Sequence, residues 1–314
     1  MSLGEIIPVF LAYGVLLVNG WTDAPNSIAT AVSSGAISYK KASLLCGAFN
    51  MIGVIFACLF NYSVAEFVFS MGDFGPYTEI GISITFITMI LFGVICYFLG
   101  LPSSESHAML SAMAGVSFAL HESINQIKIV GRVFAFTIFS CLLAYLVSYI
   151  SRKLLVFNLS YKGLQIVTCT LTSFMHGWQG GLKIIGVIAF LLSIDITSSK
   201  IPIFLTLSVA IVLGIGPLIG SKRIIDSMGD GLIRMTHKSS FSSDIGTYLS
   251  LLVCSILGMP VSTGNIKCMS IIATGRCENQ NINKKTATRL FVSFIAVFPI
   301  CFAFGYILMK LILP

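Results

Sequence analysis

The sequence predicts an all-α, polytopic membrane protein built from two repeats, with membrane helices broken by short polar phrases. Three observations predict it. First, only 10% of the 314 residues are charged and 56% are hydrophobic, with a mean hydropathy of +0.95, whereas soluble domains carry about 25% charged residues. Second, apolar runs recur at 5–19, 42–60, 80–99, 129–150, 164–175, 184–194, 201–219, 245–257 and 287–313, several of them reaching the ~20 residues a spanning helix needs. Third, helix-breaking polar phrases occur twice, half a chain apart. Gly20-Trp21-Thr22-Asp23-Ala24-Pro25-Asn26-Ser27-Ile28-Ala29 aligns without gaps to Gly177-Trp178-Gln179-Gly180-Gly181-Leu182-Lys183-Ile184-Ile185-Gly186, an offset of 157. Gly100-Leu101-Pro102-Ser103-Ser104-Glu105-Ser106-His107 aligns to Gly258-Met259-Pro260-Val261-Ser262-Thr263-Gly264-Asn265, an offset of 158. Paired breaks in corresponding membrane segments point to a transporter's substrate site.

The elements follow in order. The run at 5–19 has no basic stretch before it and leads into a polar phrase, not a cleavage site, so no cleaved signal peptide is expected. Gly20 is expected to end this helix, Thr22 or Asp23 to cap the next, and Pro25 to sit in its first turn. Spans follow at 42–60 and 80–99, separated by a polar middle with Glu66 and Asp73. Pro102 then breaks the chain before a fresh apolar helix, and 129–150 closes the first repeat. The second repeat is read the same way: a break at 177–183, a short helix, a span at 201–219, an amphipathic surface helix plus loop at 220–243, a Pro260 break and a closing span. The boundary falls at 157/158, giving 1–157 and 158–314 as two repeats of one integrated domain.

The net charge of +7 comes from Lys and Arg residues flanking the apolar runs, including Lys40, Lys41, Arg152, Lys222, Arg223 and Lys284. Positive charge so placed sets membrane topology; it implies a bilayer and no nucleic acid. The basic 220–240 linker is the cytoplasmic candidate. The nine cysteines are scattered without a C-x-x-C pair and read as small apolar residues.

Helices that begin inside a membrane direct unsatisfied N–H groups and a positive dipole end at what faces them. Three such starts, lined by Thr22, Ser103, Ser104, Ser262 and Thr263, would form an anion site. Asp23 opposes an anion unless a cation binds with it: Asp23 and Asn26 are candidate Na⁺ ligands, or Asp23 carries a proton. Glu105 is a second ionisable candidate or a first-turn carboxylate favoured by the dipole. Lys183, at the Asn26 position of the second repeat, is a charge partner for the anion or for Asp23, or a side chain reaching for the interface. Gln179 can offer an amide to an oxyanion. His107 and His176 each sit in a polar phrase, and His107 is a substrate-bonding, proton-shuttle or structural residue; His121 and His237 read as solvated loop residues, and Trp21 and Trp178 as packing. The Ser104/His107 spacing is too weak a signal for a hydrolase, and no enzyme is expected.

These phrases resemble the PiT family of inorganic phosphate transporters, whose duplicated signature reads Gly-x-Asn-Asp-x-x-Asn and His-Gly-x-Asn-Asp-x-Gln-Lys, with Gly-x-Pro-Val-Ser-Thr-Thr-His in both halves. The resemblance covers essentially the whole chain. It implies two inverted repeats with re-entrant helices, a homodimer in a cell membrane, and symport of phosphate with Na⁺ or H⁺, with no cofactor beyond the co-transported ion. It implies substrate contacts from Asn26, Ser103, Ser104, Gln179, Lys183, Ser262 and Thr263, and cation coupling through Thr22, Asp23, Asn26, Glu105 and His107. The chain departs from the signature at Thr22, at Gly180 where the second Asp belongs, at Leu182, and at Gly264-Asn265. Sulfate or another tetrahedral oxyanion, and a non-transporting membrane sensor, are the alternative readings.

Overall fold

The computed structural model describes residues 3–71, 74–120, 124–155, 160–196, 200–220, 222–229 and 231–313, without the side chains of 124–127 and 129. Asp73, His121, Ser221 and the 157/158 boundary lie outside the described residues. Within them the regular structure is helical: α1 Leu3–Thr22, α2 Ala29–Ser33, α3 Tyr39–Phe60, α4 Ser63–Phe69, α5 Thr78–Phe98, α6 Glu105–Ala119 and α7 Ile124–Leu154, then α8 Tyr161–Leu191, α9 Ile203–Gly220, α10 Lys222–Met228, α11 His237–Ile256, α12 Thr263–Cys277 and α13 Lys284–Ile312. Among the described residues six segments are long and apolar enough to cross a membrane: Gly4–Ser27, Tyr39–Phe60, Gly75–Phe98, Val130–Leu154, Ile203–Gly220 and Lys284–Ile312. Their outer faces carry exposed Phe10, Leu44, Phe60, Leu142, Phe204 and Ile295, side chains suited to lipid.

The second half repeats the first element by element, α9 to α13 standing for α3 to α7. Packing repeats with the halves exchanged: α1 lies on α9 as α8 lies on α3, and α6 lies on α13 as α12 lies on α7. Local geometry repeats too. Gly100 and Gly258, both with left-handed φ (65° and 67°), end α5 and α11 with the same pair of bonds. Leu101 N–H reaches Cys96 O at 2.8 Å and Gly100 N–H reaches Tyr97 O at 2.9 Å; Met259 N–H reaches Cys254 O at 2.8 Å and Gly258 N–H reaches Ser255 O at 3.1 Å. This double closure needs a residue without a Cβ, and it turns the chain into each Pro-containing segment.

Three expectations are corrected. The second polar phrase does not break its helix: α8 is continuous over 31 residues, so the runs at 164–175 and 184–194 belong to one helix. The first phrase has Pro25, which carries no N–H and opens the chain into a 3₁₀ turn, Ala24–Ser27. At the matching position stands Leu182, which keeps its donor. Nor does Gly20 end α1, which runs on to Thr22. A Cβ on Gly20 would stand 2.4 Å from Leu213 O and 3.0 Å from Gly216 Cα, so this glycine is a crossing point between α1 and α9, as small residues are in membrane bundles. The surface helix of the linker is short, α10, with Ile224, Ile225 and Met228 buried. His237 is not in a loop; it opens α11, half-buried, with Nδ1 3.0 Å from Gln165 Oε1.

Candidate functional site

The breaks meet at the centre of the bundle. α1 stops at Thr22, Asp23 precedes the 3₁₀ turn, and Asn26 lies inside it. Asn26 Nδ2 donates to Asp23 Oδ1 at 2.8 Å, which fixes the carboxylate against its own turn. The segment before α6 comes alongside, with Ser103 Oγ 3.1 Å from Thr22 Oγ1. The start of α12 closes the third side. A Cβ on Gly264 would lie 3.2 Å from Asn26 Nδ2, 3.5 Å from Asp23 Oδ1 and 3.5 Å from Pro102 Cβ. The start of α12 thus lies against Asp23, Asn26 and Pro102. Every candidate at this centre is buried; Glu105, the least so, is 8% exposed.

What these side chains do differs between the halves. Ser262 caps α12 by accepting from Asn265 N at 3.4 Å, and its Oγ donates to Asn265 Oδ1 at 3.3 Å. Ser104, at the matching cap of α6, makes no such bond, and its Oγ is buried without a partner. Asn26 Oδ1 is likewise buried without a partner, and Asn19 and Glu105 face each other with no well-formed hydrogen bond on their side-chain polar atoms. Buried polar groups are normally satisfied, so this set is unusual for a protein interior. Glu105 has Lys183 and Asp23 as its charge neighbours. A cavity of about 20 Å³, lined by Asn19, Thr22, Ser103 and Glu105 among apolar side chains, has room for about one water. A cavity of this size does not hold a tetrahedral oxyanion.

Gln179 and Lys183 reach the site from α8, but as clamps on the segment that leads into α12. Lys183 Nζ donates to Val261 O at 2.7 Å. Gln179 Nε2 donates to Ser255 Oγ at 2.9 Å and Met259 O at 3.1 Å, while its Oε1 accepts from Val261 N at 3.3 Å. These bonds are what let α8 carry buried polar side chains through the core unbroken. Thr263 is buried at the first turn of α12. His107 turns away, with Nε2 2.6 Å from Thr137 Oγ1 of α7 and its ring against Phe298. Trp21 packs on Tyr97 and Trp178 beside Phe56 and Phe174, as packing residues do.

Three residues gain weight from the structure. His176 Nε2 lies 3.6 Å from Asp23 Oδ2, and His176 Nδ1 lies 2.9 Å from Asn50 Oδ1. With Nδ1 donating to Asn50, a ring nitrogen and a carboxylate oxygen face each other, an arrangement that calls for a proton or a cation between them. Asn19 faces Gly180: a Cβ there would stand 2.8 Å from Asn19 Nδ2. Asn50 has no motif around it in the sequence; Asn19 and His176 occupy the same place in the two phrases, which is the signal that pairs them.

A model of the phosphate transporter family matches the chain in two stretches, residues 19–159 and 151–305. The chain belongs to the phosphate transporter family. Among curated members it is 26% identical over 321 residues to a probable low-affinity inorganic phosphate transporter of Bacillus subtilis, spanning 96% of this chain and 95% of that protein. The corresponding protein of Rhizobium meliloti is 29% identical over 288 residues, 86% of this chain and 84% of its own length. The family's fold is here as well: a solved structure of a sodium-dependent phosphate transporter superposes with a TM-score of 0.82 over 99% of both chains at 17% identity. The chain is thus a multi-pass integral membrane protein, and the relatives it matches are transporters, not enzymes.

Proposed function

We propose that the protein is a symporter that carries inorganic phosphate across a cell membrane together with Na⁺ or H⁺. One observation carries the reading: the start of α12 and the Pro102 segment before α6 converge on the Asp23–Asn26 break, at a buried centre where Asn19, Asn26, Ser104 and Glu105 hold polar atoms without well-formed hydrogen bonds. The names of its relatives, phosphate transporters, support the substrate.

Phosphate gives up hydration to enter such a centre, which is costly unless donors and countercharge replace it. The N–H groups at the starts of α6 and α12, with the hydroxyls of Ser103, Ser104, Ser262 and Thr263, supply donors. Lys183 supplies positive charge beside the α12 segment. A coupling cation at Asp23, with Asn26 Oδ1 as a second oxygen, offsets the carboxylate that would otherwise repel the anion. Na⁺ takes these oxygens directly; H⁺ is held between Asp23 and His176. Cation first, phosphate second, makes a loaded centre whose charge is low enough to move, and two inverted repeats, 1–157 and 158–314, rock about it. The family resemblance extends the proposal to a homodimer. Because Gly180 replaces a carboxylate, the second half offers no cation site equivalent to Asp23.

The test is labelled phosphate uptake into proteoliposomes under Na⁺ and proton gradients in turn, with unlabelled sulfate as competitor. The expected result is uptake driven by one of the gradients and resistant to excess sulfate. Sulfate that competes equally makes the protein a general oxyanion carrier; phosphate binding without uptake makes it a sensor of the same fold, and either outcome overturns the reading.

A further inference from the structure

A second charged assembly lies one turn beyond the Asp23–Asn26 break. Asp244 of α11 and Lys267 of α12 form an ion pair in which both residues are 0% exposed. Asp244 Oδ1 also accepts from Thr30 Oγ1 at 2.7 Å. The Thr168 hydroxyl of α8 also faces this carboxylate, and the other oxygen, Oδ2, is buried without a well-formed hydrogen bond. The ionisable groups acting on Asp244 from the packed elements are Lys267 on α12 and Cys169 on α8. α2 presents the Thr30 hydroxyl, and α7 presents Ala144 and Ser148 beside Gly246. His237 opens α11 itself, and Gln165 joins it to Thr30: Gln165 Nε2 donates to Thr30 O at 3.2 Å and to Ser34 Oγ at 2.6 Å, and its Oε1 meets His237 Nδ1 at 3.0 Å. A polar file thus leads from the pair to half-exposed Ser34 and His237.

The fold does not require this pair. At the offset of 158 that aligns Gly100 with Gly258, Asp244 falls on Phe86 and Lys267 on Met109, both buried in the apolar core. The first half builds the same place from hydrocarbon. A buried ion pair desolvates two charges and is often replaceable by apolar residues without loss of stability. Ionisable groups retained inside a membrane mark ion pathways.

We propose that Asp244 is a proton-coupling carboxylate of this carrier, taking a proton on its Oδ2. The proposal rests on the phosphate-carrier reading and adds a proton site distinct from Asp23. As a carboxylate, Asp244 ties α2, which follows the Asp23–Asn26 turn, to α12, which begins at Ser262–Thr263; the two short helices flanking the centre are locked together. A proton from water on one side neutralises Asp244 and weakens its bonds to Lys267 and Thr30. The positive charge of Lys267 is then uncompensated, and an arriving oxyanion balances it. Proton and anion therefore favour each other's binding, which is the thermodynamic requirement for symport. On the far side the anion leaves, the pair re-forms, and the proton returns to water.

The experiment uses the full chain in proteoliposomes and compares the wild type with the double variant Asp244→Phe/Lys267→Met, which copies the first half. Two rates are read: phosphate–phosphate exchange without a gradient, and phosphate accumulation driven by an inside-alkaline pH gradient. The expected result is a variant whose gradient-driven accumulation, taken relative to its own exchange rate, falls by about tenfold, within the usual range of coupling factors. A second pair, Asp244→Asn/Lys267→Gln, keeps the site polar and serves if the apolar pair does not fold. Undiminished pH-driven accumulation in either folded variant overturns the proposal, as does a wild type that responds to Na⁺ alone. A wild type without exchange overturns the carrier reading itself, so the two failures are distinguishable.

Discussion

Asn19 and His176 sit 157 residues apart at the same place in the two polar phrases, and each faces the other half's Asp position. His176 meets a carboxylate, Asp23; Asn19 meets Gly180, where its amide lies 2.8 Å from a Cβ that is not there. Residue 180 and the Asn19 amide are therefore coupled by packing. Gly180→Asp alone forces Asn19 aside, and overpacking of this kind costs about 1–3 kcal/mol. Pairing it with Asn19→Ala relieves the clash, so the two effects on thermal unfolding in detergent are expected to be strongly non-additive; additive shifts would contradict the packing described. Gln179 gives a second residue-scale prediction. Its three buried hydrogen bonds hold residues 255–261, and at about 1 kcal/mol each Gln179→Ala should cost about 3 kcal/mol. Unfolding midpoints of variant and wild type measure it; an unchanged midpoint would show that the clamp is dispensable.

At the scale of elements, proline separates the breaks that were legible from those that were not. Pro25, Pro102 and Pro260 each removed a donor, and the chain is interrupted at all three. The 177–183 phrase looked like a fourth break because Gly177, Gly180 and Gly181 are poor helix formers and Gln179 and Lys183 are polar. In the folded chain the glycines admit neighbouring helices. A Cβ on Gly177 would stand 2.1 Å from Asn50 O, and one on Gly181 would stand 2.5 Å from Val54. The polar pair is satisfied by a segment some 80 residues away, a contact no local pattern announces. Helix-breaking character and close helix crossing draw on the same residue, so glycine alone does not tell them apart. Most residues of the candidate centre were legible because they lie in or beside a proline phrase, and Gln179 and Lys183 because their phrase aligns with the first one. Asn50, which orients His176 from within an apolar run, was not, nor was Asp244, whose partners come from α2 and α12. Leu182→Pro tests the element-scale account. Restoring the first half's proline removes an α8 hydrogen bond and should cost about 3 kcal/mol or more, seen as loss of helical signal and a lowered unfolding midpoint. Tolerance of that proline would mean that α8 is not a continuous helix in the folded protein.

At the scale of the molecule, exchange pairing of the two halves explains why function concentrates where it does. α1 on α9 and α8 on α3 bring the two polar phrases together, and α6 on α13 with α12 on α7 bring in the two Pro-led helix starts. The first half supplies the carboxylate and the unpartnered oxygens, while the second supplies Lys183, the capped α12 start and the Asp244–Lys267 pair. The two halves thus bring different side chains to the centre. The most direct measurement is the initial rate of labelled phosphate uptake into proteoliposomes under an imposed cation gradient, with Asp23→Asn beside the wild type. The account predicts concentrative uptake by the wild type and, in the folded variant, loss of the gradient's effect by about tenfold or more. Equal concentrative uptake by Asp23→Asn, or none by the folded wild type, would contradict it.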